Sequence, residues 1–195
     1  MKGITAKTEK ISQVAAWFSG TLLFLASILI AFEVIARKAF SYSIGGADEL
    51  SSYVLAISCT WGFSYALFRK THIRIDVFYS RMPKPFRHTL DIFAHVLLGG
   101  YLVMLSYFAF IVVKTSVVKH SAANTPLATP LWIPQSIWLA GLIWFAFSIA
   151  VLLFGTLYFR SKGLEREADQ LLGIATLDEE IQESAELSVS SEETK

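Results

Sequence analysis

Residues 131–159 read LWIPQSIWLAGLIWFAFSIAVLLFGTLYF, and they give the clearest indication of the fold class. It contains no charged side chain and exceeds the roughly 20 apolar residues that a helix needs to cross a bilayer. Because lipid offers no hydrogen-bond partners to a lone segment, we predict a helix that satisfies its own backbone groups. We therefore expect an integral membrane protein rather than a soluble domain.

Three other segments of the chain are apolar over a similar length. The four predicted membrane helices cover residues 11–36, 48–68, 89–113 and 131–159. Together they predict an all-α integral membrane fold with one four-helix membrane domain, residues 11–160. The composition agrees, since only 17% of the residues are charged, against roughly 25% in an average soluble domain. The net charge of +1 gives no reason to expect a nucleic-acid partner.

Basic residues in the short loops predict the orientation. One side of the membrane would carry twelve Lys and Arg residues and the other side four. Because basic loops stay in the cytoplasm, we expect both termini there, with residues 1–10 as a cytoplasmic N-terminus. Ten of the 16 acidic residues follow residue 160, so residues 161–195 are expected to form an acidic, partly disordered cytoplasmic tail. Within it, Leu164, Ala168 and Leu171 share one face of a possible amphipathic helix.

The segment between the second and third helices, residues 69–88, reads RKTHIRIDVFYSRMPKPFRH. An apolar stripe at helical spacing predicts a short interfacial arm helix over about 73–82; its members are Ile75, Phe78, Tyr79 and Met82. A strand-like alternation through Ile73, Ile75 and Val77 is the competing interpretation. The basic residues around the stripe either set the topology or contact a partner.

Charged residues cluster where helix one ends and helix two begins. Glu33 and Arg37 are four apart, so they share a helix face, and Asp48 and Glu49 open helix two. A charge at this depth is costly unless it is paired. We therefore expect Arg37 to pair with Glu33 or with one of the other two acids, and Asp48 is also a candidate helix cap. The functional alternative to such a clamp is a proton or ion relay.

Enzyme and cofactor signatures are missing from the sequence. The single cysteine, Cys59, excludes an internal disulfide and is expected to be a buried hydrophobe. His95 is the one histidine within a predicted span, and the chain has neither a metal-ligand spacing nor a phosphate-binding glycine loop. We expect no catalytic, metal or cofactor site, and hence no enzyme.

The residues between Glu33 and Arg87 resemble a known family, the small membrane subunit of tripartite ATP-independent periplasmic (TRAP) transporters of the DctQ/SiaQ type. That family has an arginine near an aromatic residue after helix one, an acidic pair opening helix two, and an HIR-hydrophobic-D motif followed by a proline. The matching elements here are Arg37 with Phe40, Asp48-Glu49-Leu50, His72-Ile73-Arg74-Ile75-Asp76-Val77, and Arg81-Met82-Pro83.

The resemblance implies a scaffold for a large membrane subunit of the DctM/SiaM type, in the bacterial inner membrane. That subunit would carry the substrate and sodium sites, and a periplasmic substrate-binding protein would deliver an organic acid such as a dicarboxylate or a sialic acid. The candidates for structural or subunit-interface roles are Glu33, Arg37, Asp48, Glu49, Arg69, His72, Arg74 and Asp76. The alternative function is a small self-sufficient transporter that uses Glu33 as its coupling acid.

Overall fold

A computed structural model describes residues 2–43, 45–69, 84–164 and Leu171. They form four α-helices: α1 (Lys2–Phe40), α2 (Ala47–Phe68), α3 (Lys84–Val118) and α4 (Trp132–Ser161). Within these residues, extended pairing is limited to one isolated bridge between Ala122 and Pro130. The prediction of an all-helical chain is therefore confirmed for the described part of the molecule.

Three of the helices are long and apolar enough to cross a membrane, namely Gly3–Phe40, His88–Val118 and Trp132–Ser161. The remaining helix, α2, has 22 residues, but serines and threonines interrupt its apolar sequence and it falls outside this group. The fourth crossing, at residues 48–68, thus stays a prediction. The predicted arm at about 73–82 lies outside the described residues.

The first helix is longer than the span predicted for it. α1 contains 39 residues, which at 1.5 Å per residue gives a rod of about 58 Å. The hydrocarbon core of a bilayer is only about 30 Å thick. α1 already begins at Lys2, ahead of the predicted start at residue 11, so it extends well beyond a perpendicular crossing.

The buried face of α1 is a seam of small or polar side chains at a seven-residue repeat, comprising Thr5, Ser12, Ser19, Ala26 and Glu33, each at most 8% exposed. Such spacing keeps one stripe of a helix against its neighbour, as in left-handed helix pairs. Small side chains let two backbones approach closely, which drives helix association in lipid. α1 as a whole packs mainly against α2, and the seam meets both α2, at Ser19, and α4, at Ser12.

The last helix is the centre of the bundle. α4 contacts each of the other three helices. In its most apolar stretch of 18 residues 44% is buried, whereas the corresponding shares are 17% for α1 and 11% for α3. Its Leu142, Phe145 and Ile149 belong to the hydrophobic core cluster together with α3's Leu102. The outer faces of α1 and α3 therefore remain rich in exposed large apolar side chains.

Close contacts between α4 and its neighbours depend on small residues. A Cβ added at Gly141 would lie 2.9 Å from the Cβ of Thr60 on α2. Three long-range hydrogen bonds accompany the packing: Ser58 Oγ to Ser19 O at 3.0 Å, Trp144 Nε1 to Ser12 Oγ at 3.0 Å, and Trp61 Nε1 to Ile137 O at 3.2 Å. They connect α1, α2 and α4 to one another.

One detail of α2 differs from expectation. Cys59 is exposed, so the prediction of a buried cysteine is wrong; neighbouring Ser58 and Thr60 take the inward positions instead. Ser58 donates its hydroxyl to Ser19 O of α1. A Cβ added at Gly62, in contrast, would meet nothing within 4 Å among the described residues.

The bundle has two distinct ends. The loop end is formed by the turn 41–46 and the connection 119–131, and the terminal end by the start of α1 and the end of α4. The connection 119–131 is a hairpin-like loop: Ala123 N donates to Thr129 O and Leu131 N to Ser121 O, both at 3.0 Å. Because it folds back on itself, this loop can lie against the beginning of α2.

Candidate functional site: two carboxylate clusters at the loop end

The first cluster is built around Glu33 in the last turns of α1. Arg37 donates to Glu33 Oε1 from Nη2 at 2.7 Å and from Nε at 3.3 Å. The Glu33 side chain is 3% exposed, whereas that of Arg37 is 58% exposed. A carboxylate in such surroundings is tolerated when it is paired and hydrogen-bonded. The predicted pairing of Arg37 is thus confirmed, with Glu33 as the partner.

Ser43 joins the turn after α1 to the same carboxylate. Its hydroxyl donates to Glu33 Oε1 at 2.6 Å and accepts the backbone N–H of Gly45 at 3.2 Å. Gly45 has φ +74°, a conformation that favours glycine and reverses the chain here. The residues Glu33, Arg37 and Ser43, called the Glu33 cluster below, therefore fix how the chain leaves α1.

The second cluster is built around Glu49 in the first turn of α2, which is 7% exposed. Tyr53 donates its hydroxyl to Glu49 Oε1 at 2.9 Å from one turn along the same helix. The hydroxyl of Thr125 donates to Oε2, and Thr129 lies close to the same carboxylate. These four residues, called the Glu49 cluster below, fasten the connection 119–131 to α2.

Two glycines make room for this contact. A Cβ added at Gly46 would lie 2.6 Å from Leu127 Cγ, and one added at Gly45 would lie 3.4 Å from Pro126. The loop side chains therefore rest directly on the backbone that precedes α2. Hydrogen bonding at Glu49 and apolar packing at Gly46 act on the same loop, so the two effects support each other.

Asp48 lies next to Glu49 but differs from it in exposure and in its contacts. It is exposed, and Gly46 occupies the N-cap position without a side-chain cap, so the prediction of Asp48 as helix cap is wrong. Its carbonyl oxygen accepts the hydroxyls of Ser51 and Ser52 at 3.0 and 2.7 Å. Its negative charge in the first turn complements the helix dipole and attracts Arg37.

The structure describes one of the four remaining candidates. Arg69 is exposed just after α2, at the opposite end of that helix, where its backbone N–H donates to Tyr65 O at 3.0 Å. His72, Arg74 and Asp76 lie outside the described residues. The structure thus brings four of the eight sequence-predicted residues together and separates a fifth from them.

Sequence reasoning missed Ser43, Tyr53, Thr125 and Thr129. Tyr53 follows Glu49 by four residues, and that spacing on a helix could have identified it. Thr125 is separated from Glu49 by 76 positions, and no local pattern connects two such residues. Their contact follows from how α2 and α4 are placed relative to each other.

Both clusters consist of hydrogen bonds that join helices and loops of this chain. Each carboxylate receives several hydrogen bonds from neighbouring donors. Over residues 2–43, 45–69 and 84–164, no group of three His, Cys, Asp or Glu could hold a metal ion. On α3, the Nδ1 of His95 lies 2.8 Å from Asp91 O, a contact within one helix. The clusters therefore fix the positions of helices and loops.

A shallow apolar groove runs between α1 and α2, away from both clusters. Its lining consists of Ala16, Trp17, Gly20, Thr21, Phe24 and Tyr65. Trp17 is 73% exposed, and a Cβ added at Gly20 would meet nothing within 4 Å. This surface fits lipid or a protein partner better than water.

The chain is similar to a known protein family over most of its length. The family model described as "Tripartite ATP-independent periplasmic transporters, DctQ component" matches residues 26–158. No curated protein matches the chain. The matched region begins within α1, ends within α4 and includes every residue of both carboxylate clusters.

Proposed function

This chain belongs to the DctQ family, the small membrane subunit of tripartite ATP-independent periplasmic transporters, and on that premise we propose that it is a static scaffold for the large membrane subunit. In this proposal the large subunit, of the DctM type, carries substrate and coupling ion. A periplasmic binding protein delivers the substrate. The present chain contributes rigid helices and apolar surface against which the large subunit can move.

The main support for this proposal is that Glu33 and Glu49, the two buried acids at the loop end, are held by hydrogen bonds. Glu33, the coupling acid of the alternative function, is buried and held by Arg37 and Ser43, while Glu49 accepts the hydroxyl of Thr125 from a distant loop. A coupling acid must exchange its proton or ion during each cycle, and these bonds would have to break each time. Acids that hold helices together are instead what a scaffold needs.

The distribution of apolar side chains supports the same role. α1 and α3 expose large side chains over most of their outer faces, for example Phe24 at 66% and Tyr107 at 61%. Part of such a surface would meet lipid and part would meet the large subunit. Helices that pack through van der Waals contact and small residues are suited to both environments.

The location and direction of the chain belong to the proposal as well. We place it in the bacterial inner membrane with four crossings, α2 being the second, and with both termini in the cytoplasm. The charge bias of twelve to four in the loops supports this direction. The loop end with its two clusters would then face the periplasm, on the side where the binding protein arrives.

Reconstitution tests the scaffold role. Proteoliposomes containing the large subunit with this chain should take up substrate when the binding protein and a sodium gradient are supplied. Vesicles lacking either membrane subunit should show only background uptake. Candidate organic acids, dicarboxylates and sialic acids, would be compared under sodium and potassium gradients.

The alternative, a self-sufficient transporter using Glu33, makes the opposite prediction. Under it, vesicles with this chain alone would move solute, and Glu33→Gln would abolish that activity without reducing the amount of folded protein. Glu33→Gln in the two-subunit complex should instead leave uptake per assembled complex close to that of the wild type. Uptake by the lone chain would refute the scaffold proposal.

A further inference from the structure

A small notch lies at the terminal end of the bundle, where α4 passes the first turns of α1. Its floor is Gly155, which is buried in α4. A Cβ added there would lie 3.1 Å from Leu171 Cδ1 and 3.8 Å from Thr5 Cγ2. Side chains from the beginning of the chain and from beyond α4 therefore converge over one glycine.

The notch belongs to the interior of the bundle. Thr5 is 8% exposed and Thr156, next to the glycine, is 4% exposed. Leu171 is partly buried and packs against the hydrophobic core cluster that includes Leu152. A leucine in this position removes apolar surface from its surroundings at both α1 and α4, which favours its retention there.

The position of Leu171 requires the chain to reverse after α4. In a straight helix the 16 residues from Gly155 to Leu171 would extend about 24 Å. The two are nevertheless in contact. The reversal begins at Gly163, which has φ +72° and donates its N–H to Arg160 O at 3.1 Å, while Leu164 N donates to Phe159 O at 3.0 Å. This hydrogen-bond pattern is typical of helix ends with a left-handed glycine.

We propose that Leu171 anchors the chain beyond α4 onto the terminal end of the bundle by occupying the Gly155 notch beside Thr5. The occupant is thus this chain's own C-terminal segment. The contact of Leu171 Cδ1 with the Gly155 position and its packing against the hydrophobic core cluster support this choice. The anchor closes the notch to other molecules.

Disulfide trapping in native membranes tests the anchor. Cys59 is the single cysteine and is exposed, so Cys59→Ser gives a cysteine-free background. In it, the pair Gly155→Cys and Leu171→Cys should form an intramolecular disulfide on mild oxidation, measured by mass spectrometry of the linked peptides. The matched control is Phe154→Cys with Leu171→Cys, because Phe154 is the adjacent residue and is 67% exposed. Trapping should be at least about tenfold faster in the first pair, and equal rates would overturn the proposal.

A second measurement does not require a cysteine in the notch. With Leu171→Cys as the only cysteine, a maleimide should label the thiol slowly. Adding Gly155→Leu fills the notch and should speed labelling several-fold, whereas Phe154→Leu should leave the rate unchanged. Equal labelling rates in the two variants would also refute the anchor. Neither readout depends on transport, so the anchor can fail while the scaffold role stands, and the reverse.

Discussion

The two carboxylate clusters differ in how far along the chain their partners lie. Glu33 is held by Arg37 four residues away and by Ser43 ten residues away, so its cluster is local to the end of α1. Glu49 is held by a loop 76 residues away, so its cluster joins α2 to the connection between α3 and α4. The first therefore shapes one turn, and the second fixes the arrangement of helices. Two buried acids at the same end of the bundle thus serve different levels of structure.

The largest effect should come from the close contact between α2 and α4. Gly141→Leu would drive a side chain into Thr60 and Trp61 and separate α2 from α4, at a cost of about 3 kcal/mol. Thermal unfolding of the purified chain in detergent measures this. Gly62→Leu is the control, since its Cβ meets nothing within 4 Å. If Gly141→Leu were as stable as Gly62→Leu, the loop-end clusters rather than helix packing would determine the fold.

Next in size should be the loss of the cation from the Glu33 cluster. Arg37→Ala leaves a carboxylate whose side chain is 3% exposed without its charged partner, which is unfavourable near lipid. We expect Tm to fall by several degrees and the yield of complex with the large subunit to fall with it. Lys38→Ala removes the same charge one residue later from an exposed position and should change little. Equal Tm values for both variants would contradict the clamp.

The contrast between local and distant clusters can be tested directly by hydrogen exchange. Glu49→Gln weakens the acceptor for the hydroxyl of Thr125, so amides in residues 121–131 should exchange about tenfold faster. Glu33→Gln should instead speed exchange in residues 41–45 and leave 121–131 unchanged. If both substitutions loosened the same segment, the division into a local and a distant cluster would be wrong.

A smaller effect is expected from single hydrogen bonds in the middle of the bundle. Trp144→Phe removes the donor to Ser12 Oγ, a bond of 3.0 Å between α4 and α1. Interhelical bonds of this kind contribute about 0.6 kcal/mol in membrane proteins, so unfolding should become easier by that amount. Trp17→Phe, at a site that is 73% exposed, is the control for the loss of an indole. A cost several times greater would show that this bond organises the bundle.

The smallest effect should come from Asp48, the neighbour of Glu49. Its carboxylate is exposed and acts through the helix dipole, so Asp48→Asn should cost about 0.3 kcal/mol, and less at high salt. Hydrogen exchange in residues 121–131 should stay at the wild-type rate. Faster exchange there would place Asp48 in the Glu49 cluster after all.

Local spacing was enough to predict part of the site. The i,i+4 relation on one helix placed Glu33 among the three acids expected to pair with Arg37, because a helix of known geometry fixes which side chains are neighbours. Burial of individual residues was harder to predict. Cys59 was expected to be inside and is exposed, since a helix that is apolar on several faces does not reveal which face meets its neighbours.

The sequence alone is enough to predict that the chain is helical, strongly apolar and a member of a membrane subunit family. These properties follow from composition and local motifs, which act over a few turns. Three features are visible only in the folded chain: the hydrogen bond from Thr125 to Glu49, the central place of α4, and the return of Leu171 to Gly155. Those contacts join residues far apart in the chain, so they depend on which helix faces pack together, and no local pattern encodes that choice.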